Sequence, residues 1–151
     1  MKTIIMSAVF IFASVFNAHA DDALDWANGA WGIDVEDIPE GLDAAAIDEL
    51  RNCHKSPVII TTDRKTLRYK AVHTGEDDYT AKSPILAVEK QWISLRYDGE
   101  DRVMKNGDTA IWHMFFINPD KFYWIVGPGI QEGERDGVVP MARVRCQSAS
   151  V

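Results

Sequence analysis

From residue 58 onward, the chain alternates short apolar runs with turn-forming residues. The pairs Asp98-Gly99 and Asn106-Gly107 are strong signals for two-residue hairpin turns, because the central positions of such turns favour a positive φ. A further turn is predicted at Asn118-Pro119-Asp120. Short strands with turn signals about eight to twelve residues apart indicate an antiparallel meander, closed as a barrel or folded as a sandwich.

One short helix is predicted ahead of most of these strands, near residues 43–52. Asp43 can act as its N-cap, because its side chain can accept a hydrogen bond from the first turn, and the helix would run through Arg51. The apolar side of this helix is narrow. The fold class predicted from the pattern is therefore mainly β, with one short helix.

The turns also predict which side chains share a face, because a two-residue turn fixes the register of the strands it joins. The predicted pairs are Leu95 with Arg102, Met104 with Thr109, Glu100 with His113, and Phe115 with Trp124. The less charged face is assigned to the interior. Its predicted members are Ile93, Leu95, Tyr97, Glu100, Arg102, Met104, Ile111, His113, Phe115, Ile117, Phe122, Trp124 and Val126.

The opposite face carries more charge and is assigned to the outside, but it also carries large apolar side chains. These are Trp112, Met114, Phe116, Tyr123 and Ile125. We expect an apolar patch of this size to be covered by another segment or by a partner. The acidic segment 34–50 could pack over it; the alternatives are a homodimer partner bound through these five residues, or a membrane surface.

The beginning of the chain has the pattern of a secretory signal peptide. Lys2 precedes an apolar run over residues 4–16, and Ala18-His19-Ala20 matches the small-x-small cleavage pattern. The run is too short to span a bilayer, and no later segment is long and apolar enough to do so. We therefore predict a cleaved signal over residues 1–20 and one barrel domain over residues 21–151, secreted or periplasmic.

Composition narrows the classes of partner. Apolar residues make up 46% of the chain, which is enough for one hydrophobic core. The formal net charge is −7. A nucleic-acid partner is therefore not expected, because such partners are held by clustered positive charge.

The two cysteines, Cys53 and Cys146, are predicted to form a disulfide, because two cysteines in an oxidising compartment most often pair. Two alternatives remain open from the residues alone. The thiols could be free, or Cys53 and His54 could contribute to a metal site. Two adjacent ligands are a weak metal signal, and no metal site is predicted.

A resemblance to the calycins, the group of lipocalin-like and fatty-acid-binding-like barrels, rests on a few residues. Gly29-Ala30-Trp31 is similar to the Gly-x-Trp motif of their first strand, and Asn118-Pro119-Asp120 resembles the turn between two late lipocalin strands. The resemblance implies a small lipocalin-like β-barrel sealed at one end by a late arginine packed on Trp31. Arg143 and Arg145 are the candidates for that arginine.

Recognised catalytic motifs do not appear in the sequence. After the predicted signal, the only histidines are His54, His73 and His113, and their spacing does not suggest a shared metal. We therefore expect a protein that is not an enzyme and that needs no cofactor.

The candidate ligand site is on the predicted inner face. Its residues are Tyr97, Glu100, Arg102, His113, Phe115 and Trp124. An inward arginine beside a tyrosine could hold an anionic head group by charge-assisted hydrogen bonds. The alternative is that Glu100 and Arg102 satisfy one another at the barrel mouth without a ligand.

The function predicted from the sequence is non-catalytic binding of a small apolar or amphipathic ligand. An anionic head group is one form that this ligand could take. One alternative is a protein-interaction module, such as a secreted enzyme inhibitor, with a filled barrel and functional surface loops such as 127–137. Another is a small barrel enzyme such as an isomerase. That enzyme would need a wet cavity with His113 and Glu100 within hydrogen-bond reach.

Overall fold

The computed structural model describes residues 23–75, 79–104, 106–127 and 142–147. The predicted signal peptide lies outside these residues, as does all of the predicted loop 127–137 except Gly127. The described chain is mainly β and forms a closed barrel of eight strands, which confirms the predicted fold class. No helix in these ranges is long and apolar enough to cross a bilayer.

Each strand of the barrel is antiparallel to its neighbours, and the strands follow one another around the barrel in chain order until β8 returns to β1. The strands are β1 Gly29–Ile33, β2 Val58–Asp63, β3 Arg68–His73, β4 Tyr79–Val88, β5 Trp92–Leu95, β6 Trp112–Asn118, β7 Lys121–Val126 and β8 Arg143–Arg145.

Two short helices accompany the barrel, α1 over Ala23–Ala27 and α2 over Ala44–Leu50. The helix α2 begins where it was predicted, because the Asp43 side chain accepts a hydrogen bond from the Ala46 N–H at 2.8 Å. The helix α1 was not predicted. It packs against the barrel core near the start of β1, where its residue Leu24 is buried.

The predicted strand after Asp98-Gly99 is not part of the barrel wall. The strand β5 pairs directly with β6, with Leu95 opposite Trp112 instead of Arg102. Residues 96–111 form a long connection between β5 and β6. Among its described residues, Thr109 forms a bridge with Val103 instead of with the predicted partner Met104. The turn glycines have the expected positive φ, but the charged run around Arg102 is exposed.

The predicted facing of β6 was wrong by one residue. Asn118 pairs with Lys121 around the expected two-residue turn, but the register shifts between Phe116 and Asn118. Such a β-bulge inserts one extra residue and reverses the facing of everything beyond it. Consequently Trp112, Met114 and Phe116 belong to the interior, whereas His113, Phe115 and Ile117 lie on the outer side.

The bulge also removes the apolar outer patch that the sequence predicted. Met114 and Phe116 are fully buried in the core, and Trp112 packs against it, so these three cannot form the proposed homodimer surface. Only Tyr123 and Ile125 remain on the outer side. The segment 34–50 therefore has no such patch to cover, and the residue after α2 is held by β1 through the Ile33 N–H and the Arg51 carbonyl.

Cys53 and Cys146 form a disulfide across 93 residues of chain, as predicted. The bond joins the segment after α2 to the residue that follows β8. It passes close to β1, because a Cβ on Gly32 would lie 2.9 Å from the Cys53 sulfur. The buried Asp48 carboxylate accepts a hydrogen bond from the Gln147 N–H at 3.0 Å and holds the same two segments together.

The end of the barrel near α1 is sealed by an arginine on a tryptophan. The Arg145 guanidinium lies 4.5 Å from the ring centroid of Trp31. It donates to the carbonyl oxygens of Trp26, Asn28 and Pro119 and to the Asp120 carboxylate. Gly29 makes room for it, because a Cβ there would lie 2.6 Å from the guanidinium and the backbone φ is +137°.

We expect Arg145→Met to lower the free energy of unfolding by about 3 kcal/mol, because it removes the cation–π contact and three carbonyl hydrogen bonds. The matched control is Arg64→Met, which removes a half-exposed ion pair with Asp25 at 2.9 Å and should change stability by less than about 1 kcal/mol. Urea denaturation measures both. Equal losses in the two variants would contradict the role given to Arg145.

Candidate functional site

A cavity of about 670 Å³ occupies the part of the barrel away from α1. His73 at the end of β3, Tyr79 at the start of β4 and Arg143 at the start of β8 all line it. These strand ends are opposite the end that Arg145 seals. The cavity therefore lies in the open half of the barrel.

One side of the cavity consists of aromatic side chains in mutual contact. This ring cluster comprises Trp31, Tyr69, Tyr97, Trp112, Phe122 and Trp124. Trp124 is its centre, with ring centroids 5.6 Å from Phe122, 6.1 Å from Trp112 and 6.2 Å from Tyr69. The ring pairs are mostly edge-to-face, the arrangement that aromatic quadrupoles favour.

The ring cluster crosses the barrel interior. Tyr69 on β3 and Trp124 on β7 come from strands four positions apart in the eight-strand order, yet their rings touch. Behind them, Phe122 packs on Trp31 at 4.8 Å, and Trp31 packs on the buried Phe116 at 6.0 Å. The half of the barrel near α1 is therefore filled with side chains, and only the other half is hollow.

Arg143 is the cation of the cavity lining that is partly buried, whereas Arg102 and Lys82 are exposed. Its backbone pairs with Phe122 and Ile33, and it is partly buried. The ion pairs found among the described residues do not include it. Burial lowers the pKa of Arg143, an effect partly offset by nearby tyrosines. An arginine stays charged even so, and the cavity therefore holds a partly desolvated positive charge that an anion would stabilise.

Beside Arg143 are two tyrosines, one of which can contribute a hydrogen-bond donor. Tyr69 and Tyr97 lie beside one another, with ring centroids 6.5 Å apart, and Tyr69 is fully buried whereas Tyr97 is partly buried. Burial, in the first place, raises the pKa of both hydroxyl groups above the ordinary value. Both groups therefore remain protonated at physiological pH, and the less buried one, Tyr97, can donate to a ligand oxygen.

At the cavity rim, Arg102 is neutralised by Glu100. Its Nε and one Nη donate to the two Glu100 oxygens, each at 2.5 Å, and the guanidinium lies 4.5 Å from the Trp112 ring. The Trp112 indole N–H also donates to Glu100 at 2.8 Å. Chiefly because of the hydrogen bond from Arg102, the pKa of Glu100 falls to about 2. This geometry is the self-satisfied cluster that was the alternative to a ligand contact.

The structure brings together only part of the predicted site. Tyr97, Arg102 and Trp124 line the cavity, and Glu100 lies beside it on Arg102. His113 and Phe115 face outward because of the bulge in β6. Arg143, considered from sequence only as a barrel-sealing residue, lines the cavity instead. The alternation of Arg143 and Arg145 about Val144 was the signal that both arginines share the inner face.

His113 is a buried structural residue on the outer side of the barrel. The Gly127 carbonyl accepts from its Nε2 at 3.1 Å, so Nδ1 is unprotonated and accepts from the Ser94 hydroxyl at 2.7 Å. His113 is 2% exposed, and this burial lowers its pKa. The predicted pairing with Glu100 does not form, since Glu100 bonds Arg102 and Trp112 instead.

No group of three potential metal-binding side chains occurs in the described part of the chain. No protein-family model, curated protein or solved structure matches this chain. The interpretation of the cavity therefore rests on its own geometry and chemistry.

Acidification should destabilise the barrel through His113. The lowered pKa means that the unfolded chain binds a proton more readily, so stability is complete above the unfolded pKa of about 6.5 and falls as the pH drops below it. We expect His113→Gln to lose less stability than the wild type between about pH 8 and about pH 5.5, with a difference of at most about 1.4 kcal/mol. Urea denaturation at both pH values measures it.

The lowered pKa of His73 contributes equally in both proteins and cancels in this comparison. If both proteins lose the same stability on acidification, His113 is not held neutral by its buried position.

Proposed function

We propose that this is a secreted or periplasmic protein that binds a small anionic amphiphile in its cavity without chemical turnover. The observation that carries the proposal is Arg143, a partly buried arginine that lines the cavity. It forms no ion pair with a carboxylate of the described residues. A carboxylate, sulfonate or phosphate head group would supply that partner. The Cys53–Cys146 disulfide supports an oxidising compartment.

The charge of the cavity supports an anionic ligand. The chain has a net charge of −7, yet Arg102, Arg143 and the exposed Lys82 line the cavity with a single lining carboxylate, Asp98. Asp98 is already bonded to Arg68 at 2.7 Å, and Arg102 to Glu100. Of the two arginines that line the cavity, Arg143 is therefore the one whose charge is available to a ligand.

The rest of the lining supports an apolar body on that ligand. The ring cluster and the aliphatic side chains of Val58 and Ile60 line the cavity together with Arg143. Cavities of this volume that combine apolar walls with polar groups are typical of small-molecule sites. The amphiphile would place its head group on Arg143, with the Tyr97 hydroxyl as a further donor, and its body on the partly buried rings.

The two other functions considered from the sequence receive less support. The isomerase hypothesis needed His113 and Glu100 in contact, and these residues lie on different sides of the barrel wall. The interaction module depended on the loop 127–137, which lies outside the described residues except for Gly127. It stays an alternative to be tested.

Arg143→Met should weaken binding of anionic amphiphiles at least about tenfold, because it removes a charge-assisted hydrogen bond while keeping side-chain volume. The probes are 8-anilinonaphthalene-1-sulfonate, followed by its own fluorescence, and sodium decanoate, followed by tryptophan fluorescence. Three tryptophans line the cavity and report on occupancy: Trp31, Trp112 and Trp124.

Lys70→Met is the matched control, because it removes the same charge from an exposed position on the outer side of β3. It should leave the dissociation constants of both probes within about twofold. Binding that is unaffected by Arg143→Met, or equally weakened by both substitutions, would refute the proposed head-group site. So would the failure of both probes to bind.

A further inference from the structure

We propose that the cavity selects a compact, ring-bearing anion over an anion with a long, flexible chain. This inference rests on the proposed function and names the ligand class of the same site. Two independent observations carry it: the limited depth of the cavity and the aromatic character of its wall.

The depth is limited because side chains fill the half of the barrel near α1. The contact of Tyr69 with Trp124, at 6.2 Å between ring centroids, bridges the interior from β3 to β7. From Tyr69 to the end of β3 at His73 is four residues, at most about 13 Å at about 3.3 Å per residue. An extended long-chain fatty acid is longer than this, so its tail would have to fold back or leave the barrel.

The character of the wall favours a planar ring. The six rings of the cluster line the cavity with three aliphatic side chains, Val58, Ile60 and Ala81. Three of the rings, Tyr97, Trp112 and Trp124, are only partly buried and so are available to a ligand. A flat ligand ring can join such a cluster in offset or edge-to-face geometry and gains more than its buried area alone provides. A flexible alkyl chain lacks that gain and loses more conformational freedom when it is ordered.

Trp124 is the residue on which this selectivity should depend. Its ring contacts four other members of the cluster, Tyr69, Tyr97, Trp112 and Phe122. It is only partly buried and lines the cavity, so part of its surface is available to a ligand. Arg143 would hold the head group of either ligand class, whereas Trp124 would distinguish between their bodies.

The test is isothermal titration calorimetry of the full disulfide-bonded protein with sodium 2-naphthoate, sodium decanoate and sodium palmitate, each below its micellar range. The three share the carboxylate and differ in the apolar body. We expect 2-naphthoate to bind about tenfold more tightly than either linear carboxylate, a ratio near the upper end of what a favourable aromatic pair contributes.

Two variants link that preference to Trp124. Trp124→Leu should weaken 2-naphthoate binding about tenfold and decanoate binding by less than about threefold, whereas Trp124→Phe should keep most of the preference. Circular dichroism and thermal unfolding show whether each variant is folded. If Trp124→Leu fails to fold, the wild-type ratio and the Trp124→Phe variant still decide the question.

The outcomes separate the two proposals. If decanoate or palmitate binds as tightly as 2-naphthoate, and Arg143→Met weakens all three, the ring preference is wrong and the anion site stands. If no carboxylate binds, or Arg143→Met changes none of them, the proposed function itself fails and the ring preference fails with it.

Discussion

The contact of Arg145 with Trp31 is the interaction on which the rest of the structure depends. The strand β8 has only three residues and carries both closing contacts of the barrel, to β1 and to β7. So short a ladder contributes few hydrogen bonds. The guanidinium adds bonds to Trp26, Asn28 and Pro119, which belong to three segments at the same end of the barrel. Closure thus relies on one side chain as much as on strand pairing.

The position of the cavity cation follows from this closure. In a strand, residues two apart point to the same face, so a β8 that places Arg145 on Trp31 also turns Arg143 toward the interior. The disulfide at Cys146 fixes the same strand from the outside. Arg145 seals the filled end. Arg143, two residues earlier on the same face, brings to the hollow end a charge that forms no ion pair within the described part of the chain. A single short strand thereby connects the stability of the fold with the proposed ligand chemistry.

Turn chemistry and composition were enough to predict the antiparallel meander, the Asp43-capped helix and the disulfide, and the resemblance to the calycins favoured a barrel over a sandwich. They could not predict the bulge between Phe116 and Asn118, because nothing in the run of apolar residues distinguishes one register from the next. That single residue moved His113 out of the predicted site and Trp112 into the barrel. The flanking turns predicted a strand over the charged run Glu100–Arg102. In the structure this run lies at the rim of the cavity, where its charges are paired or exposed. Arg143 was predicted only as a candidate for the arginine on Trp31, because the sequence does not show which of the two arginines lies nearer the sealed end of the barrel.

The central claim is that an anionic amphiphile occupies the hollow half of the barrel, with its head group on Arg143. The most direct measurement is the set of nuclear Overhauser contacts between bound 2-naphthoate and the isotope-labelled protein, with the Arg143 Nε–Hε resonance followed in the same titration. We expect contacts to the rings of Trp124 and Tyr97 and a shifted Arg143 resonance. Contacts confined to outer-face residues such as Trp92 and Tyr123, with the Arg143 resonance unmoved, would contradict it.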